Sequence, residues 1–179
     1  MKKVCVYCGS SLGKRPEYAY AARRLAKALT LQGIGLVYGG ASVGIMGEIA
    51  DAVLAGGGEV IGVIPQVLVD KEVAHGGLTE LKVVGSMHER KAIMMEISDG
   101  FIALPGGLGT QEELFEVLTW SQLGFHKKPC GLLNVGGYYD KLCSFLDHAV
   151  EEQFVKTHHR EMLLVEDSPE KLLTLMEGY

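Results

Sequence analysis

A chain of 179 residues with 47% hydrophobic and 7% aromatic residues can fill the core of one ordinary domain, expected over residues 1–179. A formal net charge of −5 excludes the basic face of a nucleic-acid binder, and no apolar run approaches the ~20 residues of a membrane-spanning helix. Met1-Lys2-Lys3-Val4 enters a strand at once, without the long apolar region and small-residue cleavage site of a signal peptide, so a cytoplasmic protein is expected.

Apolar runs alternate with helical patterns along the whole chain. Val4 to Tyr7 reads as a strand. Cys5 and Cys8 match C-x-x-C, but three positions apart on a strand they face opposite ways, and redox pairs usually sit at a helix N-terminus. Together with Cys130 and Cys143 they read as free thiols in a reducing compartment. Glu17 to Gln32 carries Tyr18, Ala21, Ala22, Leu25, Ala28 and Leu29 at helical spacing, and Gly33 stops it. Ile34 to Tyr38 is a second strand and Val43 to Ala55 a helix ended by three glycines. Val60 to Ile64 is a third strand, stopped by Pro65 and followed by a loop from Gln66 to Thr79. Leu81 to Val84 reads as a strand, Met87 to Ile97 as a helix, Phe101 to Leu104 as a strand, and Leu114 to Leu123 as an amphipathic stretch. Gly131 to Asn134 is a strand, Tyr139 to Glu152 a helix, His158-His159 a loop, and Leu163 to Val165 the last strand, with Ser168-Pro169 opening the final helix. Strands alternating with helices predict βαβ units: an α/β, three-layer, Rossmann-like doubly wound sheet, mainly parallel, with helices on both faces. Ligands of such sheets bind beyond the carboxyl ends of the strands, where strand order reverses. Three glycine turns should line that rim: Gly9-Ser10-Ser11, Gly39-Gly40-Ala41-Ser42, and Gly106 to Thr110.

The run Pro105-Gly106-Gly107-Leu108-Gly109-Thr110-Gln111-Glu112-Glu113 carries the most chemistry. A glycine turn between strand and helix lets bare N–H groups approach an anion at the positive end of the helix. A carboxylate three residues on adds an acidic catalyst beside it. The plain alternative is a structural turn with a capping box, Thr110-x-x-Glu113. That alternative leaves three glycines in four positions unexplained. Glu112 stands where a Gly-x-Gly-x-x-Gly motif needs its third glycine, and no Lys-Ser/Thr pair follows, so neither a standard dinucleotide site nor a Walker A loop is expected.

In Ser86-Met87-His88-Glu89-Arg90-Lys91, Ser86-x-x-Glu89 is a capping box. Arg90 then opposes the helix dipole and falls on the apolar stripe of Ile93, Met94 and Ile97. An arginine so placed needs an anion: a structural carboxylate such as Glu96 or Asp99, a substrate phosphate, or Glu113. In the loop, Glu72 could orient a ribose hydroxyl, beside Asp70 and His75. No spaced His/Cys set for a metal and no Gly-x-Ser-x-Gly nucleophile elbow occur.

Gly39-Gly40 with Val43-Gly44-Ile45-Met46-Gly47, Met87-x-x-Arg90-Lys91, and Pro105-Gly106-Gly107-x-Gly109-Thr110-x-x-Glu113 resemble, in order and spacing, the signatures of the LONELY GUY family of cytokinin riboside 5′-monophosphate phosphoribohydrolases. Bacterial members were long labelled possible lysine decarboxylases. The resemblance runs from Val4 to about Phe154. It implies hydrolysis of the N-glycosidic bond of a purine nucleoside 5′-monophosphate, prenylated or plain AMP, to a free base and ribose 5-phosphate. By resemblance, Arg90 and Glu113 are the catalytic pair, and Gly106, Gly107, Gly109 and Thr110 hold the phosphate. Glu72, Met87, Lys91, Glu112 and Thr119 would line the substrate site, with Ser10, Gly39 and Gly40 on the rim. No cofactor is required, nucleic acid and membrane are not partners, and a homodimer whose neighbouring subunit helps close the site is implied. The alternatives are an AMP nucleosidase with no cytokinin role, a nucleotide-binding protein without catalysis, and a decarboxylase, which would need a pyridoxal-phosphate lysine, Lys91 being the nearby candidate.

Overall fold

Val4, Val6 and Cys8 pack into one apolar cluster while Cys5 and Tyr7 pack into another, on the opposite face of the same strand. That strand, β1 (Lys3–Tyr7), is buried on both sides, which is why it reads as an unbroken apolar run and not as an alternation. The computed structural model describes residues 1–71 and 73–179. In it β2 (Gly35–Tyr38), β3 (Val60–Pro65), β4 (Glu80–Val84), β5 (Gly100–Ala103), β6 (Cys130–Leu133) and β7 (Leu163–Glu166) join β1 in one seven-stranded sheet. The order is β4-β3-β2-β1-β5-β6-β7 and every ladder is parallel. The expected doubly wound α/β architecture is therefore present, and the sheet is wholly rather than mainly parallel.

The strands are connected through α1 (Glu17–Leu31), α2 (Gly44–Ala55), α3 (Gln66–Val69), α4 (Met87–Ile97), α5 (Leu108–Gln122), α6 (Asp140–Glu151) and α7 (Thr157–Arg160), and α8 (Pro169–Glu177) follows the last strand. Leu25, Leu29, Ile45, Ile49, Leu172 and Leu173, from α1, α2 and α8, cover one face. Met94 of α4 and Val117 of α5 cover the other around Phe101 and Val63, and Leu114 of α5 joins Tyr139 over Leu132. The core is thus split by the sheet into two layers of side chains.

Most predicted boundaries fall within two residues of the observed ones, the ordinary scatter of helix and strand ends. Three expectations are corrected. The stretch from Gln66 to Thr79 is not all loop: its start is α3, entered from Pro65, and Ala74 forms an antiparallel bridge with Ala41. His158 and His159 lie in α7 instead of a loop. A single turn of four residues is too short to show a 3.6-residue period, so pattern reading passes over it. Finally, the amphipathic stretch read from Leu114 begins earlier, as α5 at Leu108, so Thr110 sits inside its first turn and the alternative of Thr110 as its cap falls away. Glu72 lies outside the described residues.

Candidate active site

Strands β1 and β5 are neighbours, yet the sheet grows from them in opposite directions, to β2 on one side and β6 on the other. The crevice beyond their carboxyl ends is the switch point of the sheet. A cleft of about 220 Å³ opens there, lined by Ser10, Gly39, Arg90, Glu113 and the turn from Gly107 to Thr110. A second depression of about 270 Å³ adjoins it, sharing Gly9, Ser10 and Gly107, and is walled by Gly106, Tyr18 and Tyr138.

Helix α4 brings Arg90 to this cleft. Ser86 caps it, its hydroxyl accepting from Glu89 N at 3.1 Å, while the Glu89 carboxylate accepts from Gly85 N at 2.8 Å. Arg90 and Met94 are the buried residues of that helix. The guanidinium donates through Nε to the Val63 carbonyl at 3.0 Å, and Nη2 stands 3.2 Å from Glu113 Oε1. Nη1 touches Met87 Sδ at 3.8 Å, so Met87 packs on the arginine without itself lining the cleft. Of the partners open in the sequence, Glu113 is the one Arg90 meets. Asp99 instead accepts from the backbone amides of Lys2 and Lys3. A guanidinium carries five donors, so Arg90 retains capacity for an anion in the cleft it lines.

Helix α5 brings the acid. Gly107 is its N-cap, with no side chain bonded to the cap. The first three amides, of Leu108, Gly109 and Thr110, precede the first intrahelical acceptor bond, Gln111 N to Gly107 O at 3.2 Å. These bare donors line the cleft at the positive end of a fifteen-residue helix, a ready anion site. The Thr110 side chain is buried beneath the turn: a Cβ on Gly106 would lie 2.1 Å from its hydroxyl oxygen, so the turn can close over it only with glycine there. One turn further on, Glu113 is 7% exposed. Burial raises its pKa to about 7; the Arg90 charge opposes this, and Glu112 adds to it.

Lys91 also bridges to α5, meeting Glu112 and, at 2.9 Å, Glu116. Burial alone would lower its pKa, but the hydrogen bonds to those two carboxylates hold it above its ordinary value. Gly40 takes a left-handed conformation, φ 77°, and its carbonyl accepts from His75 N, tying the Gln66–Thr79 segment to the rim. Thr119 does not join the cleft: its hydroxyl donates to the Phe115 carbonyl, and it lines a separate depression with Leu118, Leu146 and Leu163. The sequence reading also missed Cys8 and Met46, which wall the cleft, and Tyr138, whose hydroxyl donates to Gly106 O. Cys8 and Met46 flank glycines that had been singled out; nothing in the spacing marks Tyr138. Among the described residues no group of three or more His, Cys, Asp or Glu could hold a metal ion.

A family model described as possible lysine decarboxylase matches residues 46–176. The chain is 52% identical over 178 residues to a probable cytokinin riboside 5′-monophosphate phosphoribohydrolase of Oryza sativa subsp. japonica, covering 99% of this chain and 71% of that protein. It is 51% identical over 177 residues to a cytokinin riboside 5′-monophosphate phosphoribohydrolase of Arabidopsis thaliana, covering 99% and 82%. Among solved structures, the molybdenum cofactor binding protein of Rippkaea orientalis superposes with a TM-score of 0.73 at 23% identity, covering 99% of this chain and 97% of that one. The molybdenum cofactor carrier protein of Chlamydomonas reinhardtii gives 0.74 at 21%, covering 99% of each. At such identities the likeness is one of fold.

Gly39 offers a test of the geometry. A Cβ there would stand 2.4 Å from Arg90 Nη2. Gly39→Ala should push the guanidinium from Glu113 and remove the charge that holds the carboxyl pKa down. NMR titration of carboxyl-labelled glutamate should then place Glu113 above about 7; an unchanged midpoint would show that the pair does not set it.

Proposed function

The chain belongs to the LONELY GUY family, whose model carries the description possible lysine decarboxylase, and on that premise we propose that it is a phosphoribohydrolase cleaving the N-glycosidic bond of cytokinin riboside 5′-monophosphates. The products are a free N6-substituted adenine and ribose 5-phosphate, with plain AMP as a second substrate. One observation carries the reading: a buried glutamate whose pKa is raised to about 7, paired with a buried arginine, less than two helical turns from a helix N-terminus with no side-chain cap.

The chemistry follows from that arrangement. Departure of the base leaves positive charge on the sugar, as in glycoside hydrolysis. Glu113, ionised, stabilises that charge or takes a proton from the attacking water. The α5 amides hold the 5′-phosphate and so fix the distance between sugar and carboxylate. Arg90 keeps the buried Glu113 from staying protonated throughout the neutral range and has donors left for the phosphate. Ser10 and Gly39 complete the rim. Lys91 is unsuited to a Schiff base, which needs a lysine of lowered pKa, whereas its carboxylate partners raise it. This argues against the decarboxylase description.

The assembly we propose is a homodimer. Helix α6 has no buried residue and exposes Phe145, while Phe154 is 89% exposed just beyond it. Thr119 lies on this side of α5, outside its own cleft, and would reach a nucleotide only across a subunit interface.

Glu113→Gln and Arg90→Ala should each lower base release from AMP and prenyl-AMP by at least about a hundredfold, with the fold retained by circular dichroism and the melting temperature lowered because each leaves one buried partner unpaired. Near-normal turnover in either variant would remove it from the mechanism. GMP, CMP and the free nucleosides complete the assay; equal turnover of nucleosides would mean that the phosphate is not held. Because the working form of Glu113 is the carboxylate and its pKa is raised, kcat/KM should climb with pH through about 7 and flatten above it; a profile falling across that range would recast Glu113 as a proton donor. In sedimentation, wild type should run as a dimer and Phe145→Glu as a monomer; a monomeric wild type would contradict the assembly.

A further inference from the structure

Four consecutive carbonyls of the glycine turn are each taken. Leu104 O accepts from the Tyr139 hydroxyl at 2.7 Å, and Pro105 O from Gly9 N at 3.2 Å. Gly106 O accepts from the Tyr138 hydroxyl at 2.6 Å, and Gly107 O from Gln111 N at 3.2 Å. A peptide unit is planar and trans, so its C=O and its N–H point in opposite directions. Holding a carbonyl therefore aims the next amide. The Gly106–Gly107 peptide has no side chain on either flank to limit its rotation. Its carbonyl is held by a side chain thirty-two positions away in sequence.

Tyr138 is itself held. Its ring packs edge-on against Tyr18 at 5.6 Å and Tyr139 at 4.8 Å. The segment before it is pinned where Tyr139 N donates to Asn134 Oδ1 at 2.8 Å and Arg15 Nη1 donates to Gly136 O at 3.1 Å. Tyr138 lines the depression beside the cleft and not the cleft that contains Glu113.

We propose that Tyr138 is a positioning residue for the substrate phosphate: its hydroxyl locks the Gly106–Gly107 peptide so that the Gly107 amide is presented to the anion at the start of α5. This rests on the reading of the cleft as a nucleotide phosphate site. Tyr138 touches no reacting atom, so its loss weakens the hold on the phosphate in ground and transition states alike and leaves the bond-breaking step as it was. The neighbouring tyrosine provides the contrast. The amide after Leu104 belongs to Pro105 and has no hydrogen to aim, so the Tyr139 hydroxyl supports the end of β5 without orienting a donor.

Tyr138→Phe keeps the edge-on ring packing and removes one hydroxyl. KM for AMP should rise about five- to tenfold, the worth of one neutral hydrogen bond, with kcat within about twofold. Tyr139→Phe should lower the melting temperature and leave KM unchanged. In the Glu113→Gln background, calorimetric titration should show Tyr138→Phe weakening AMP and inorganic phosphate by the same factor while adenosine is unaffected. Equal affinity for AMP with and without the hydroxyl, a fall in kcat at constant KM, or an equal KM rise in Tyr139→Phe would each overturn the assignment. A wild type that binds AMP through a Tyr138-sensitive contact yet releases no base would sink the hydrolase reading and leave the positioning role standing.

Discussion

An arginine and a glutamate on different helices, each nine-tenths or more buried, meet at 3.2 Å where the sheet changes direction. Taking two such charges out of water is expensive, several kcal/mol per ion even after relaxation, and a buried pair is often no more stable than apolar side chains of the same volume. Stability alone is therefore a poor reason for the pair. Much around it follows from keeping it. Gly39 has no side chain because the guanidinium occupies that space. The Val63 carbonyl at the end of β3 faces Arg90 as an acceptor. Glu113 does not retreat to an ordinary surface pKa but is held near 7, where a carboxyl group can exchange protons at neutral pH.

The second constraint is the open end of α5. Of the eight helices described, α4 and α8 are capped by a serine side chain, and the other six, α5 among them, have no side-chain cap. In α5 the cap is glycine, the first-turn amides have no intrahelical partner, and the carbonyls behind them are tied down one after another. Donors held rigid in advance need not reorganise when charge arrives. The two constraints meet within the first two turns of α5, so the bare amides and the buried carboxylate line one cleft.

The likeness to molybdenum cofactor carrier proteins of low identity fits this division. A parallel sheet with a switch point offers the same crevice to many ligands, and the residues grafted onto its rim decide the chemistry. Here an acid and an arginine stand on that rim.

What the sequence determined by itself is whatever is written in local periodicity or in a turn that only glycine can make. Apolar runs fixed the strands, the Tyr18-to-Leu29 stripe fixed α1, the Ser86 box fixed the start of α4, and the glycines flagged the rim. Arg90 betrayed itself by sitting on an apolar stripe, and Glu113 by its place in the glycine motif. The tertiary structure decided everything that depends on distance through space. It chose Glu113 over Asp99 as the partner of Arg90, turned Lys91 toward α5, placed Thr110 under the turn rather than at its cap, left Thr119 outside its own cleft, and brought Tyr138 back onto Gly106. One-turn helices such as α3 and α7 escaped because four residues hold too little of a period to be read. Partners far apart in the chain escaped for a related reason: spacing reports which face a side chain takes, and only the packed sheet says what lies opposite that face.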